Sequence, residues 1–149
     1  MSVFHSMNTT ASALTAQRLR MDVISSNMAN VDSTRAAGGE AYRRKMVVLE
    51  PKGSQFSSFL KTAMGTSRTG SAGDGVKVSR IVEDRETPYK MVYDPEHPDA
   101  NQEGYVAYPN VDPLREMVDL VSATRSYEAN VTVFNASKGM LMKALEIGK

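Results

Sequence analysis

Residue types and spacings that could do chemistry occur at a few places in this chain, and each falls short on inspection. Asp99-Ala100-Asn101-Gln102-Glu103-Gly104 reproduces the first half of a calcium loop. The position that should carry a bidentate glutamate is Asn110, however, with Pro109 before it and no helix leading into Asp99. A tight turn built on these Asx side chains is the expected use. Gly65 and Gly70 stand at phosphate-loop spacing, yet Ser71 occupies the place of the lysine that must hold the phosphate charge. His5 and His97 have no nearby cysteine, second histidine or spaced carboxylate pair with which to make a metal site or a triad, and both are expected at the surface. Arg43-Arg44-Lys45 reads as a solvated face or an inter-subunit ion pair sooner than as a nucleic-acid contact. Asn8-Thr-Thr, Asn130-Val-Thr and Asn135-Ala-Ser match the glycosylation pattern but fall in helical stretches, as chance matches would. No catalytic constellation, cofactor site or metal site emerges, so the expectation is a protein that is not an enzyme and takes no small-molecule substrate.

With chemistry set aside, the ends of the chain carry the information. Residues 3 to 31 and 113 to 147 have apolar residues at helical spacing, whereas every proline lies between Pro51 and Pro113 and most glycines lie between Gly38 and Gly104. Met7, Leu14, Met21 and Met28 recur every seven residues, with Val3, Ile24 and Val31 on the neighbouring diagonal and Thr10 and Gln17 interrupting it. A 3-4 alternation runs from Met117 through Leu120, Thr124, Tyr127, Val131, Phe134, Lys138 and Leu141 to Leu145, the seam of a coiled coil with two polar breaks. Asp112 suits an N-cap, Pro113 the first helical position and Gly148 the residue beyond the end. At ~1.5 Å per residue the two helices would be roughly 40 and 50 Å long, more than a compact core of this size covers. Ser25, Ser26, Asn27, Asn30, Asn130, Asn135 and Ser137 add polar groups suited to holding neighbouring helices together.

Composition narrows the class further. With 149 residues, 41% of them hydrophobic, there is room for one modest domain or a helical part plus a small β part. A net charge of +1 supplies no field for nucleic acid or anionic lipid. Cysteine is absent, which removes disulfides, zinc fingers and thiol catalysis and suits work outside the cytosol. The first twenty residues contain no continuous apolar run and carry Arg18 and Arg20, so no secretory leader is expected. No stretch is long enough to span a bilayer.

Between the helices the period changes. Tyr42 to Leu49, ended by Glu50-Pro51, reads as a strand; so does Val76 to Val82, with Tyr89 to Tyr93 and Tyr105 to Tyr108 as shorter candidates for one small antiparallel sheet. Phe56, Phe59, Leu60, Ala63 and Met64 predict a short amphipathic helix, and residues 65–75 a mobile loop. The predicted fold is therefore mainly α with a small β region. Helices at 1–34 and 112–149 pair as a coiled-coil-like unit and carry 35–111 as a short-stranded β insertion.

The segment Ile24-Ser-Ser-Asn27-Met28-Ala29-Asn30-Val31-Asp32-Ser33-Thr34-Arg35 runs a helix into an asparagine-rich exit where Asn30 or Asp32 can cap or turn the chain. It resembles the S-x-N-x-A-N-x-x-T signature of the flagellar rod and hook axial proteins. Tyr42-Arg43-Arg44-Lys45, Gly75-Val76-Lys77-Val78, Tyr93-Asp94-Pro95, His97-Pro98-Asp99-Ala100, Glu103-Gly104-Tyr105-Val106, Glu116-Met117-Val118 and Tyr127-Glu128-Ala129-Asn130 extend the resemblance over nearly the whole chain. It departs across residues 50 to 75, where this chain is longer than compact members.

The resemblance implies a structural component of the bacterial flagellar basal body that passes unfolded through the flagellar export apparatus without a cleavable signal. Beyond the cytoplasmic membrane it would polymerise with copies of itself and sibling rod proteins into the proximal rod, which carries torque to the distal rod and hook. Another rod protein, or a non-flagellar coiled-coil module with a stable monomer or dimer, are the alternatives. The residues expected to carry assembly are Met7, Leu14, Met21, Ile24, Asn27, Met28, Asn30, Met117, Leu120, Tyr127, Val131, Phe134, Leu141 and Leu145.

Overall fold

A computed structural model describes residues 3–36, 38–52, 63 and 75–148. Its elements in chain order are α1 (Val3–Ala29), β1 (Lys45–Pro51), β2 (Val76–Glu83), β3 (Lys90–Tyr93), β4 (Tyr105–Tyr108) and α2 (Pro113–Ile147). The chain is mainly helical with a small β region, as its sequence predicts. The strands form two separate antiparallel ribbons, β1–β2 and β3–β4, where a single sheet was expected. The helix expected at 56–64 lies outside the described residues apart from Ala63, and the loop expected at 65–75 lies outside them apart from Gly75. No described helix is long and apolar enough to cross a membrane.

The helices form where backbone breakers are missing and hydroxyls fold back on the chain. Val3 to Ala29 contains neither proline nor glycine. The hydroxyls of Thr10, Thr15, Thr124 and Thr132 donate to carbonyls four residues earlier, at 2.9 to 3.1 Å, so these poor helix formers are satisfied within their own helix. Asn30 closes α1: its backbone N–H donates to the Ser26 carbonyl at 3.2 Å and its Nδ2 to the same oxygen at 2.8 Å. Asp112 opens α2 by accepting the Leu114 N–H at 3.0 Å on Oδ1, with Pro113 at the first helical position.

The chain gathers into two compact units. One comprises Met1–Arg18, Leu49–Ser79 and Arg125–Lys149, the other Leu19–Val48 and Arg80–Thr124. Both helices and the β1–β2 ribbon contribute to each.

In the first unit Thr10, Ala16 and Ser137 are buried. Ser12 Oγ donates to the Thr9 carbonyl at 2.7 Å and accepts the Val76 N–H at 3.1 Å, which pins the start of β2 against α1. That close approach requires Gly75, whose φ is +96° and whose Cβ, if it had one, would lie 2.3 Å from Ser12 Oγ. Gly75→Ala is expected to lower stability by about 1–2 kcal/mol, from left-handed backbone strain and displacement of Ser12. A urea titration of the purified variant measures it.

In the second unit Val23, Ile24, Ala41, Tyr42, Val106 and Ala123 make the apolar core. β3 pairs with β4 in the register Lys90 to Tyr108, Met91 to Ala107, Val92 to Val106 and Tyr93 to Tyr105, the last pair meeting edge to face at 5.3 Å. The segment from Asp99 to Gly104 is the expected Asx turn: Asn101 Oδ1 accepts the N–H groups of Glu103 and Tyr105 at 3.0 and 2.9 Å, and Gly104 has a φ of +81°. Asp99 is itself engaged by Thr34 and Arg35. His97, expected at the surface, is half-buried in this turn, with Nδ1 accepting the Asp99 N–H at 3.1 Å; His5 is half-buried as well.

β1 begins at Lys45, three residues later than the alternation suggests. The backbones of Tyr42 and Arg44 bond elsewhere: the Tyr42 N–H to the Ser33 carbonyl at 3.1 Å, and the Arg44 N–H to Asn110 Oδ1 at 2.8 Å. After β2, Asp84 holds the next turn. Hydrogen bonds from the N–H and hydroxyl of Thr87, with the Glu86 N–H, keep its carboxyl below the ordinary value of 3.8. A carboxyl lowered on folding stabilises the folded state above its unfolded value and loses that contribution as pH falls through the lowered one. Asp84→Ala is therefore expected to be less stable than the parent at neutral pH, by about 1 kcal/mol or less for so exposed a turn. The gap narrows as the pH falls below about 4, as paired denaturation curves would record.

Candidate assembly site

Within the second unit, α1 and α2 run antiparallel, and a buried polar network lies where they meet the start of β1. Asn27 follows Val23 and Ile24 by one helical turn, so it points inward with them. It is 1% exposed. Its amide is fully used: Nδ2 donates to the Lys45 carbonyl at 2.9 Å and to Glu116 Oε2 at 3.0 Å, while Oδ1 accepts the Lys45 N–H at 2.9 Å and the Tyr42 hydroxyl at 3.0 Å. An asparagine side chain has two donor and two acceptor positions, and here none is wasted.

Glu116, completely buried in the first turns of α2, accepts Arg44 Nε on Oε1 at 2.6 Å. Arg44 reaches on to Asp119 Oδ2 at 3.4 Å, and Arg20 approaches Asp119 Oδ1 at 3.2 Å. Arg44 is thus no part of a solvated face. Its guanidinium is buried against an internal carboxylate, because Glu116 placed in the apolar interior needs a cation and hydrogen bonds together. Arg43 instead stacks on the Tyr89 ring at 4.3 Å, and the Tyr89 hydroxyl donates to the Ala41 carbonyl at 3.0 Å. Asn110 ties the surrounding loops, its Nδ2 donating to the carbonyls of Asp84 and Thr87 at 3.0 and 3.1 Å.

The outward surface of α2 is the second part of the site. In the second unit Leu114, Met117, Val118 and Val121 stand at i, i+3, i+4 and i+7, and each is between 52 and 75% exposed. In the first unit Val133, Met140 and Ile147 repeat every seven residues and are also exposed, with Met142 and Leu145 beside them. The described part of α1 has Phe4 as its large exposed apolar residue.

Among the residues expected to carry assembly, Ile24 and Asn27 are buried, and Met7, Leu14, Met21, Met28 and Asn30 are half-buried along α1. On α2, Leu120, Tyr127, Val131, Phe134 and Leu141 are half-buried, while Met117 and Leu145 are exposed. The fully buried positions of α2 are Glu116, Ala123 and Ser137, one residue before the Met117, Thr124 and Lys138 of the seam drawn from apolar spacing. Met21 meets Thr124, its sulfur lying 3.5 Å from the hydroxyl oxygen whose proton goes to the Leu120 carbonyl. Tyr42, Arg44, Asn110, Glu116 and Asp119 were absent from the expectation. The available signal was Glu116 standing in phase with Leu120 and Ala123 on a helix that otherwise turns apolar residues to that side.

Comparison with known proteins assigns this arrangement to a class. The family described as "Flagella basal body rod protein" matches residues 7–36, and that described as "Flagellar basal body rod FlgEFG protein C-terminal" matches residues 102–147. The matched stretches contain Asn27 at one end and Glu116 at the other. Proteins named flagellar basal-body rod protein FlgC are similar over essentially their whole length. The one from Bacillus subtilis is 67% identical with all of both chains covered, that from Borreliella burgdorferi 43% identical with 99% of this chain and 98% of the relative covered, and that from Salmonella typhimurium 39% identical with all of both covered. The chain belongs to the FlgC family of flagellar basal-body rod proteins, which is a structural family and not an enzyme family.

Proposed function

We propose that this chain polymerises through its terminal helices, with copies of itself and with sibling rod proteins, into the proximal rod that transmits torque from the motor to the distal rod and hook. The observation that carries this reading is the outward apolar stripe Leu114, Met117, Val118 and Val121, opposite the side on which Glu116 and Ala123 are buried and Leu120 half-buried. A stripe of apolar residues turned to water gains burial only from a neighbour, so this surface is held in reserve for assembly. Packing of this surface on a different face of the next subunit does not close on itself and generates a helical tube. Export through the flagellar apparatus without a cleavable signal, and a final location beyond the cytoplasmic membrane, complete the reading. The helical termini act as one assembly domain, and residues 35–111 as the insertion it carries. The absence of cysteine suits such a route, since no wrong bridge can form on the way.

The test is to supply the gene to a bacterium lacking its own rod protein of this family. The parent chain should restore swimming and be recovered in purified basal bodies. Val118→Asp, at a position 70% exposed, should leave the free chain as stable as the parent, within about 0.5 kcal/mol. It should reduce incorporation at least tenfold, by burying an unpaired carboxylate in the interface at ~3 kcal/mol or more. Normal swimming with Val118→Asp would mean that this stripe remains in water in the finished rod.

A further inference from the structure

The same stripe carries the chain's one kind of redox-active sulfur. Cysteine is absent and methionine occurs ten times. Among the described methionines, Met91, Met117, Met140 and Met142 are more than half exposed. Met7, Met21 and Met28 are half-buried; the Met21 sulfur packs 3.5 Å from the Thr124 hydroxyl oxygen, and the Met46 sulfur accepts a hydrogen bond from Arg44 at 3.5 Å. Of the exposed four, Met117 is the one flanked on both sides by the stripe Leu114, Val118 and Val121, while Met140 and Met142 belong to the exposed apolar group near the end of α2.

We infer that Met117 is a reversible oxidation site that governs whether a free chain can enter the assembly; this rests on the reading of the stripe as an interface. The co-reactant is a hydroperoxide. The thioether sulfur gives a lone pair to the peroxide's outer oxygen, the O–O bond breaks, a sulfur–oxygen bond forms, and water (or an alcohol) leaves. Sulfur is oxidised by two electrons and the peroxide is reduced by two. A thiol-dependent methionine sulfoxide reductase reverses the step, releasing the oxygen as water while two thiols become a disulfide. The product is a strongly polar acceptor in the centre of a surface that must be dehydrated on docking, with no donor beside it among Leu114, Val118 and Val121. Oxidation therefore acts on the free chain, and burial in the assembly shields the same sulfur.

The experiment uses hydrogen peroxide on the full-length free chain, followed by peptide mass mapping, and in parallel a peroxide pulse to complemented cells that lack methionine sulfoxide reductases. Met117 should gain its oxygen before Met21 does. Cells carrying the parent should then incorporate newly made chain about tenfold less than unpulsed cells. Met117→Leu, which cannot be oxidised, should lose less than twofold relative to its own unpulsed level, whereas Met91→Leu should lose as much as the parent does relative to its own. Met117→Gln, a standing polar substitute for the sulfoxide, should depress incorporation at least tenfold without any peroxide. Oxidation of Met21 ahead of Met117, equal peroxide sensitivity of the parent and Met117→Leu, or normal incorporation of Met117→Gln would each overturn the inference. Failure of the unpulsed parent to enter basal bodies would instead overturn the assembly reading itself, so the two failures are separable.

Discussion

Asn27→Leu is expected to cost about 4 kcal/mol of folding stability and to abolish incorporation into basal bodies. Leucine matches asparagine in reach but offers no hydrogen-bonding group, so the Lys45 N–H and carbonyl, the Tyr42 hydroxyl and one oxygen of Glu116 lose their partner at once. Each buried polar group left unpaired costs about 1–3 kcal/mol, and partial relaxation toward solvent keeps the total below the simple sum. Asn27→Asp is a useful companion. It retains the two acceptor positions but replaces the donor to Glu116 with a like charge, and should be at least as damaging as leucine. Urea unfolding of the purified chains gives the magnitude, and loss of swimming in complemented cells gives the consequence. A leucine variant within about 1 kcal/mol of the parent would mean that the network is wetter than its 1% exposure implies.

The second large effect concerns the ion pair beneath it. Glu116→Ala should cost about 3–5 kcal/mol, because Arg44 would remain buried with the distant Asp119 oxygen at 3.4 Å as its ion-pair partner. The informative comparison is the double replacement Arg44→Met with Glu116→Leu. Removing both charges removes both desolvation costs, and the double variant should recover more than half of the loss, leaving Asn27 short of one acceptor out of its set. Arg20→Ala, by contrast, breaks a pair whose side chains are about one-third exposed and should cost no more than about 1 kcal/mol. Failure of the double variant to improve on Glu116→Ala would show that the carboxylate's hydrogen bonds matter more than its charge balance.

The ends of the elements were legible in the sequence because short-range chemistry sets them. Asp112 and Pro113 start α2 by capping and by a fixed φ, Asn30 ends α1 by bonding its own last turn, and Val76 to Glu83 and Tyr105 to Tyr108 carry strand alternation. The interior of the second unit was not legible in the same way. Apolar spacing finds a stripe on a helix but not the direction in which the stripe faces. On α2 Leu114, Met117, Val118 and Val121 turn outward while Glu116, Ala123 and Ser137 are the buried positions, one residue before Met117, Thr124 and Lys138, although Leu120, Tyr127, Val131, Phe134 and Leu141 are half-buried where apolar spacing puts them. Arg44 is the same lesson in another form. Its partner lies 72 residues away, and in a basic run it looks like any solvated arginine until the fold brings Glu116 to it. His97 likewise reads as isolated in sequence and is half-buried because the turn from Asp94 to Gly104 wraps its own polar groups.

One consequence follows from the way Asn27 holds Lys45. By donating to that residue's carbonyl and accepting from its N–H, the side-chain amide occupies the two main-chain positions that a neighbouring strand would use. The first residue of β1 is therefore already paired, by a helix, on the side turned to α1. An incoming strand would have to break both bonds and strand a buried amide, so the ribbon cannot be extended there by sheet growth. A protein made to polymerise in an orderly way has to forbid the disorderly kind, and here a single side chain shuts that door at the start of β1.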